Sequence, residues 1–460
     1  MKKPEMRQPL GVAALCAALL ALAACSAGPR PALSDVYAAM AASAKGASRE
    51  GGPRGFAGVR EVGKYVKTAL ESDPSVRRAR ASAEAAGHRV GEVTQLDNPV
   101  LSLVPGTGAM TQTAAGEVDG SLGLSQRFPF PGKLRARGQG ASQAAVESAA
   151  LYRGVALATA SSVRRAYYDL YFADRALELT RSSRKLLGGF RDIARRKYET
   201  GEVPQQDLLR AQVELANLDA ELLELERARG TARAKLNRLM GREVTAGLPP
   251  TVAVEATARR LDRSGLFEEA LRSSPAIAAA RARVGGAEAS LLEAKLAYAP
   301  DFTLSYTYTS VSDSGLSQVA NGEDVERFAV ALDLPLWLDR LHAGRRRARA
   351  ELESSREALA AVRETTALAV EESLLAAESE QGRVELLRSV VLPQASQTLE
   401  ATVSAYRAGQ VDFLTMIENW RRLLDLEIAM QKSLTSLAAA IADLDEAVGR
   451  LPGPGSTNGG

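Results

Sequence analysis

The chain has 460 residues, of which 46% are hydrophobic and 25% are charged. This composition excludes a disordered or fibrous chain. The 58 Lys and Arg residues nearly balance the 55 Asp and Glu residues, and a net charge of +3 is too small to recruit nucleic acid. Because there are only two histidines and two cysteines, we expect no enzyme activity, no cofactor and no bound metal ion.

Residues 1–24 predict a signal peptide. They contain a basic start and an apolar run at residues 10–22, which is shorter than the roughly 20 residues that span a bilayer. Leu-Ala-Ala-Cys at residues 22–25 resembles the bacterial lipobox, in which the cysteine, here Cys25, is acylated and becomes the N-terminus. The alternative is an ordinary signal peptide with Cys25 incidental. Lipoproteins with serine at the next position, as at Ser26, usually reach the outer membrane.

An internal repeat organises the rest of the chain. Residues 69–103 align with residues 270–304 without a gap, at an offset of 201. Each copy reads as helix, strand, loop, strand, very long helix, turn and long helix. The predicted segments are a lipidated linker at 25–56, a first repeat at 57–240, a second linker at 241–262, a second repeat at 263–449 and a flexible tail at 450–460.

Two strands are predicted in each copy, at about 98–105, 118–130, 300–310 and 326–336. Apolar and polar residues alternate in them, as where Phe302, Leu304 and Tyr306 alternate with Thr303 and Ser305. This period suits a membrane barrel with a wet lumen, and equally a soluble sheet with one buried face. The signal for outer membrane sorting favours the barrel. Four strands cannot close a barrel, which needs about eight, so the chain must oligomerise; three chains would supply twelve strands.

Long helices follow each strand pair. No proline interrupts residues 134–200, which at ~1.5 Å per residue make a helix of roughly 100 Å. Leucine heptads in the return helices indicate coiled-coil packing. Pro393 is expected to kink the corresponding helix of the second copy. Gly201 and Gly409 are expected to end the long helices in a left-handed cap, and Val203 and Val411 begin the return helices.

Taken together, these features resemble the TolC-type outer membrane factors of tripartite efflux and secretion systems. The resemblance rests on the duplicated strand-strand-helix-helix plan and on Tyr-x-x-Gly-x-Val at residues 198–203 and 406–411. Asn-Pro at 98–99 and Ser-Gln-Arg-Phe-Pro-Phe-Pro-Gly-Lys at 125–133 look most like the heavy-metal branch, of the CzcC and CusC kind. The family implies a mainly α-helical homotrimer, with a 12-stranded β-barrel in the outer membrane above a coiled-coil periplasmic barrel.

The resemblance also implies partners and site residues. The helical tips of the family dock a periplasmic adaptor (membrane fusion) protein, which links the channel to an inner-membrane RND-type pump. The matching tip positions are Tyr198, Gly201, Val203, Tyr406, Gly409 and Val411. Family members also close the tip with inward-facing acids, and the matching positions here are Thr415 and Glu418. Of these only Glu418 is acidic, and a solvated carboxylate on a helix face explains it equally well.

We therefore expect a passive, lipid-anchored conduit in the outer membrane that extends into the periplasm and exports heavy-metal cations. Multidrug efflux and type I secretion are alternatives within the channel class. A non-conducting periplasmic coiled-coil scaffold lipoprotein is the alternative of another class.

Overall fold

The computed structural model describes residues 59–106, 112–252, 262–317, 319 and 321–451. The predicted signal peptide, Cys25, the linker to residue 56 and residues 452–460 of the predicted tail lie outside the described residues. In the part of the chain that the structure describes, no helix combines the length and the hydropathy required to span a bilayer.

The first copy contains both short and very long helices on either side of its strands. Its elements are α1 (Val59–Ser72), α2 (Pro74–Val93), β1 (Val100–Pro105), β2 (Gln112–Thr113), β3 (Gly116–Phe128), α3 (Lys133–Glu199) and α4 (Gln205–Leu239). Helix α3 is a single helix of 67 residues, or about 100 Å.

The second copy repeats this order, except that its described residues contain no counterpart of β2, a two-residue strand beyond the two predicted in each copy, and that its long helix is divided. Its elements are α5 (Arg263–Ser273), α6 (Pro275–Leu296), β4 (Asp301–Val311), β5 (Val325–Asp333), α7 (Leu338–Leu386), a π-helical turn (Leu387–Val391), α8 (Leu392–Arg407) and α9 (Phe413–Val448). The predicted mainly helical, duplicated strand-strand-long helix-long helix plan is confirmed. The π-helical turn immediately precedes Pro393, where the sequence predicts a kink, because a proline cannot donate to the regular helical ladder.

Helix boundaries follow from local sequence. Pro74 and Pro275 occupy the first turns of α2 and α6, where a missing backbone N–H costs nothing. The carboxylate of Asp73 caps α2 by accepting a hydrogen bond of 2.6 Å from the backbone N–H of Ser75.

The four longer strands form an antiparallel sheet in the order β1-β3-β4-β5. The register places Leu124 of β3 opposite Leu101 of β1 and Tyr306 of β4, and Tyr306 in turn opposite Phe328 of β5. Strands β1 and β5 each have one free edge among the described strands, because β1 pairs only with β3 and β5 only with β4.

The two faces of this sheet differ sharply. We call one the apolar face, which carries Leu101, Leu103, Leu122, Leu124, Phe128, Phe302, Leu304, Tyr306, Phe328, Val330 and Leu332. We call the other the small-residue face, which carries Ser102, Ser121, Gly123, Ser125, Thr303, Ser305, Thr307, Thr309, Ala329 and Ala331. On the apolar face the rings of Phe128 and Phe302 stack at 5.3 Å, and many of the other side chains are exposed.

The helices pack as a layered bundle in which α3 contacts α2, α4, α6 and α9, and α7 contacts α6 and α9. One core cluster surrounds Tyr167 near the middle of α3 and includes residues of α1, α4 and α9. Beside it the guanidinium of Arg164 and the carboxylate of Asp445 form a buried ion pair of 2.6 Å between the two copies. A second cluster lies near the turns at the far ends of the long helices.

Candidate functional site

The turn between α3 and α4 has a specific hydrogen-bond geometry. The backbone N–H of Glu202 donates to the carbonyl of Lys197 (2.8 Å), and that of Gly201 donates to the carbonyl of Tyr198 (3.0 Å). Gly201 has φ +77°. This pair of bonds around a left-handed residue is the Schellman motif, which satisfies helix carbonyls that would otherwise lack partners.

The turn between α8 and α9 has the same geometry. The backbone N–H of Gln410 donates to Ala405 (2.9 Å) and that of Gly409 to Tyr406 (3.1 Å), with φ +74° at Gly409. The glycine of each repeated motif is therefore required by its backbone conformation.

The two tyrosines of the motif occupy different environments. Tyr198 is 41% exposed, whereas Tyr406 is 2% exposed. The ring of Tyr406 lies 5.5 Å from that of Phe413, and the ammonium of Lys197 lies 5.4 Å from its centre. The buried hydroxyl of Tyr406 has no hydrogen-bond partner among the described residues. The tyrosine of the first copy is thus at the surface, whereas the tyrosine of the second copy is part of the hydrophobic core.

Burial raises the pKa of Tyr406 to about 12, and the negative charges of Asp207 and Glu202 add to this effect. Both carboxylates belong to the first copy, whose turn lies beside the second, as the 5.4 Å between the Lys197 ammonium and the Tyr406 ring shows. Glu202 also lies 3.4 Å from the ammonium of Lys197.

A hydrophobic cluster, here called the tip cluster, joins the two turns. It draws on α3, α4, α8 and α9 and contains Leu187, Phe190, Ala194, Ala211, Leu218, Leu399, Tyr406, Phe413, Met416, Trp420 and Leu424. Just beyond it, Arg421 of α9 approaches Glu214 (3.4 Å) and Glu221 (3.3 Å) of α4. The ends of both hairpins therefore pack as one unit.

Of the two predicted gate positions, Thr415 takes part in a helix cap. Its backbone N–H donates to Oδ1 of Asp412 (3.0 Å), and its hydroxyl donates to the same oxygen. These hydrogen bonds, that of the hydroxyl above all, lower the pKa of Asp412. Glu418 lies about one turn further along α9, is exposed, and has no ion-pair partner in the described part of the chain.

The matching positions of the first copy are Asp207 and Arg210, at an offset of 208 from Thr415 and Glu418. Burial raises the pKa of Asp207, the charge of Arg210 opposes this, and the charge of Asp412 adds to it. These two residues were not predicted from the sequence, although the repeat offset was sufficient to find them. The charged residues around the turns thus come from both copies.

No group of three or more His, Cys, Asp or Glu side chains within residues 59–451, as far as the structure describes them, is placed to hold a metal ion.

Comparisons with known proteins agree with this architecture. The family model described as outer membrane efflux protein matches residues 65–242 and 266–450. The cobalt-zinc-cadmium resistance protein CzcC of Cupriavidus metallidurans is 23% identical over 86% of this chain and 92% of its own.

Two further relatives are named for different roles. The pyoverdine export outer membrane protein OpmQ of Pseudomonas putida is 26% identical over 80% of each chain. The probable outer membrane lipoprotein SilC of Salmonella typhimurium is 22% identical over 83% of this chain and 85% of its own. The solved structure of CusC shares the fold, with a TM-score of 0.72 at 18% identity over 86% of this chain and 92% of that one.

Proposed function

Because this chain belongs to the outer membrane efflux protein family, we propose that it is the outer membrane channel of a tripartite efflux system. In this proposal three copies form a passive conduit, which docks a periplasmic adaptor protein and an inner-membrane RND-type pump. The cargo is a heavy-metal cation.

The observation that carries the proposal is the open sheet. Among the described strands, β1 and β5 each leave one edge free, and exposed side chains such as Leu103 (71%) and Val330 (66%) cover the apolar face. In lipid, unpaired backbone groups on an edge cost several kcal/mol each, so the sheet must pair with other copies. Pairing β5 of one copy with β1 of the next in a trimer gives twelve strands from β1, β3, β4 and β5, with the apolar face toward lipid and the small-residue face toward the lumen.

The helical tips are the proposed contact and gating end. The adaptor would contact the two turns through Tyr198, Gly201, Val203, Tyr406, Gly409 and Val411. Because the tip cluster binds both hairpins into one unit, the tips move together when the adaptor engages them. The energy for transport comes from the pump, since nothing in the channel's role requires a chemical step.

Thr415 and Glu418 remain the positions at which we propose that the tip is gated. Three copies of Glu418 near a common axis would repel one another and attract cations. Thr415 contributes indirectly, because its bonds to Asp412 fix the start of the helix that carries Glu418.

The substrate class rests on relatives. CzcC is named for cobalt, zinc and cadmium resistance, and its alignment covers most of both chains. Export of an organic solute is the second candidate, since OpmQ, named for pyoverdine export, aligns over a similar share.

Acylation of Cys25 would anchor the trimer in the outer membrane and leave its helices in the periplasm. Incorporation of labelled palmitate, lost in Cys25→Ala, tests the anchor.

Growth of a deletion strain tests the function. The strain is grown on graded zinc, cobalt, cadmium, copper and silver, beside dyes and antibiotics, with and without the intact gene. We expect sensitivity to metals that the intact gene rescues. Sensitivity to organic compounds alone would support the channel proposal but would indicate an organic cargo instead of a metal cation. A scaffold that does not conduct would be revealed by the absence of ion current in planar bilayers.

A further inference from the structure

The small-residue face of the sheet carries two arginines in very different electrostatic settings. Arg127 lies near the C-terminal end of β3, with its guanidinium 3.0 Å from a carboxylate oxygen of Asp301 and 3.4 Å from one of Asp333. Its charge is therefore compensated within the chain. Arg327 lies near the other end of the sheet, on β5, and is exposed.

The register fixes the side on which Arg327 lies. It pairs with Thr307 of β4, which pairs with Gly123 of β3, which pairs with Ser102 of β1. A Cβ added to Gly123 would lie 2.4 Å from the hydroxyl of Ser102 and 3.7 Å from that of Thr307. The hydroxyls of this row therefore share one face, and Arg327 extends the row.

Arg327 has no carboxylate partner among the described residues. Its chain neighbour Glu326 belongs to the opposite face, since it pairs with Tyr308. Asp324, in the loop before β5, is bound to the hydroxyl of Tyr308 and to the backbone N–H of Val311. Nor would β1 of a neighbouring copy supply an acid in a trimer, because its small-residue face presents Val100, Ser102 and Val104.

We propose that Arg327 is a selectivity residue, which shifts the ion preference of the sheet's lumen toward anions by only a few-fold, a barrier small enough for the proposed cation cargo to pass. This inference rests on the proposed trimeric channel, in which the small-residue face lines the pore. The charged groups at the other end of this face, Arg127, Asp301 and Asp333, pair with one another. The uncompensated charges of the Arg327 ring therefore set the local potential, as rings of arginine do in anion pores.

The size of the effect follows from electrostatics. Three unit charges roughly 10 Å from the pore axis, in water at ~0.1 M salt, change the partition of a monovalent ion about twofold. The ring acts in series with the proposed Glu418 ring at the tips, which has the opposite sign. The test is therefore the change in ion preference on substitution of Arg327, rather than the absolute preference of the channel.

The experiment measures reversal potentials of the purified full-length protein in planar bilayers under a KCl gradient. All proteins carry Tyr406→Ala to loosen the tips. We expect Arg327→Gln to lower the chloride-to-potassium permeability ratio about fourfold, since the ring acts on the two ions in opposite directions, and Arg327→Glu about sixteenfold, since the charge change doubles. Arg327→Lys should retain the ratio of the parent.

Lys67→Gln is the matched control, because Lys67 is an exposed cation on α1, a helix outside the sheet. It should leave the ratio unchanged. Equal ratios for the parent, Arg327→Gln and Arg327→Glu in a conducting channel would overturn the inference and leave the channel proposal intact. The absence of current from every variant, parent included, would overturn the channel proposal and this inference with it.

Discussion

The ammonium of Lys133, at the start of α3, lies 2.7 Å from Oδ1 of Asp301, at the start of β4. This ion pair joins the long helix of the first copy to the sheet strand of the second. Both residues are about nine-tenths buried, and Lys133 also donates to the carbonyl of Ala299 (2.9 Å). The pair therefore fixes the junction between helices and sheet.

Asp301→Ala should destabilise the protein by about 3–5 kcal/mol, because it leaves Lys133 buried without its carboxylate. Glu293→Ala is the control, since it removes the 2.8 Å pair with Arg137, in which both side chains are more than 40% exposed; it should cost ~1 kcal/mol or less. Thermal unfolding of both variants in detergent checks the difference. Equal losses would contradict the role given to the buried pair.

Gly201→Ala and Gly409→Ala should each cost about 1–2 kcal/mol, because an L-residue with a side chain is strained at positive φ. Gly188→Ala is the matched control. A Cβ at Gly188 or at Gly201 meets nothing within 4 Å, and only Gly201 has positive φ. The control should stabilise α3 by ~0.5–1 kcal/mol. Melting temperatures that fall by the same amount in all three variants would reject the explanation.

Tyr406→Ala should cost about 3–5 kcal/mol, as removal of a fully buried aromatic ring does. Tyr198→Ala, at the matching position of the first copy, should cost far less because that ring is 41% exposed. Tyr406→Phe should be neutral or stabilising, since the hydroxyl is buried without a hydrogen-bond partner among the described residues. Denaturant unfolding separates the three. If Tyr406→Phe were as damaging as Tyr406→Ala, the hydroxyl would have a partner.

Stability should fall at high pH because of Tyr406. Its pKa is about 12 in the folded chain and about 10 in an unfolded one, so the folded state holds the proton more tightly. The stabilisation is fully present below pH ~10 and is lost as the pH rises toward 12. Denaturation midpoints measured between pH 9 and 11.5 should fall more steeply in the parent than in Tyr406→Phe. Parallel curves would contradict the prediction.

The turns and strands could be predicted because their signals are local, and the repeat because its two copies still align. Tyr-x-x-Gly-x-Val specifies a left-handed glycine in both copies, and alternation specified the strands. The different burial of Tyr198 and Tyr406 could not be predicted, since the same motif surrounds both. Packing against the other hairpin determines which of the two rings is buried. The ion pair of Lys133 with Asp301 spans 168 residues of sequence, and nothing local indicates it.

The gate positions show an intermediate case. Asp412 followed three residues later by Thr415 is a helix-capping pattern that the sequence contains, but Thr415 was predicted only through its family position. The position of Glu418 relative to a pore axis depends on other copies of the chain, so it stays a prediction.

Ion conduction is the property that distinguishes the proposed channel from a scaffold. The most direct measurement is the ion current through purified full-length protein in planar bilayers, compared with Tyr406→Ala. We predict discrete channel openings that become larger or more frequent in Tyr406→Ala, because the substitution loosens the tip cluster. A stable trimer that passes no current in either form would rule out the channel and favour a non-conducting scaffold.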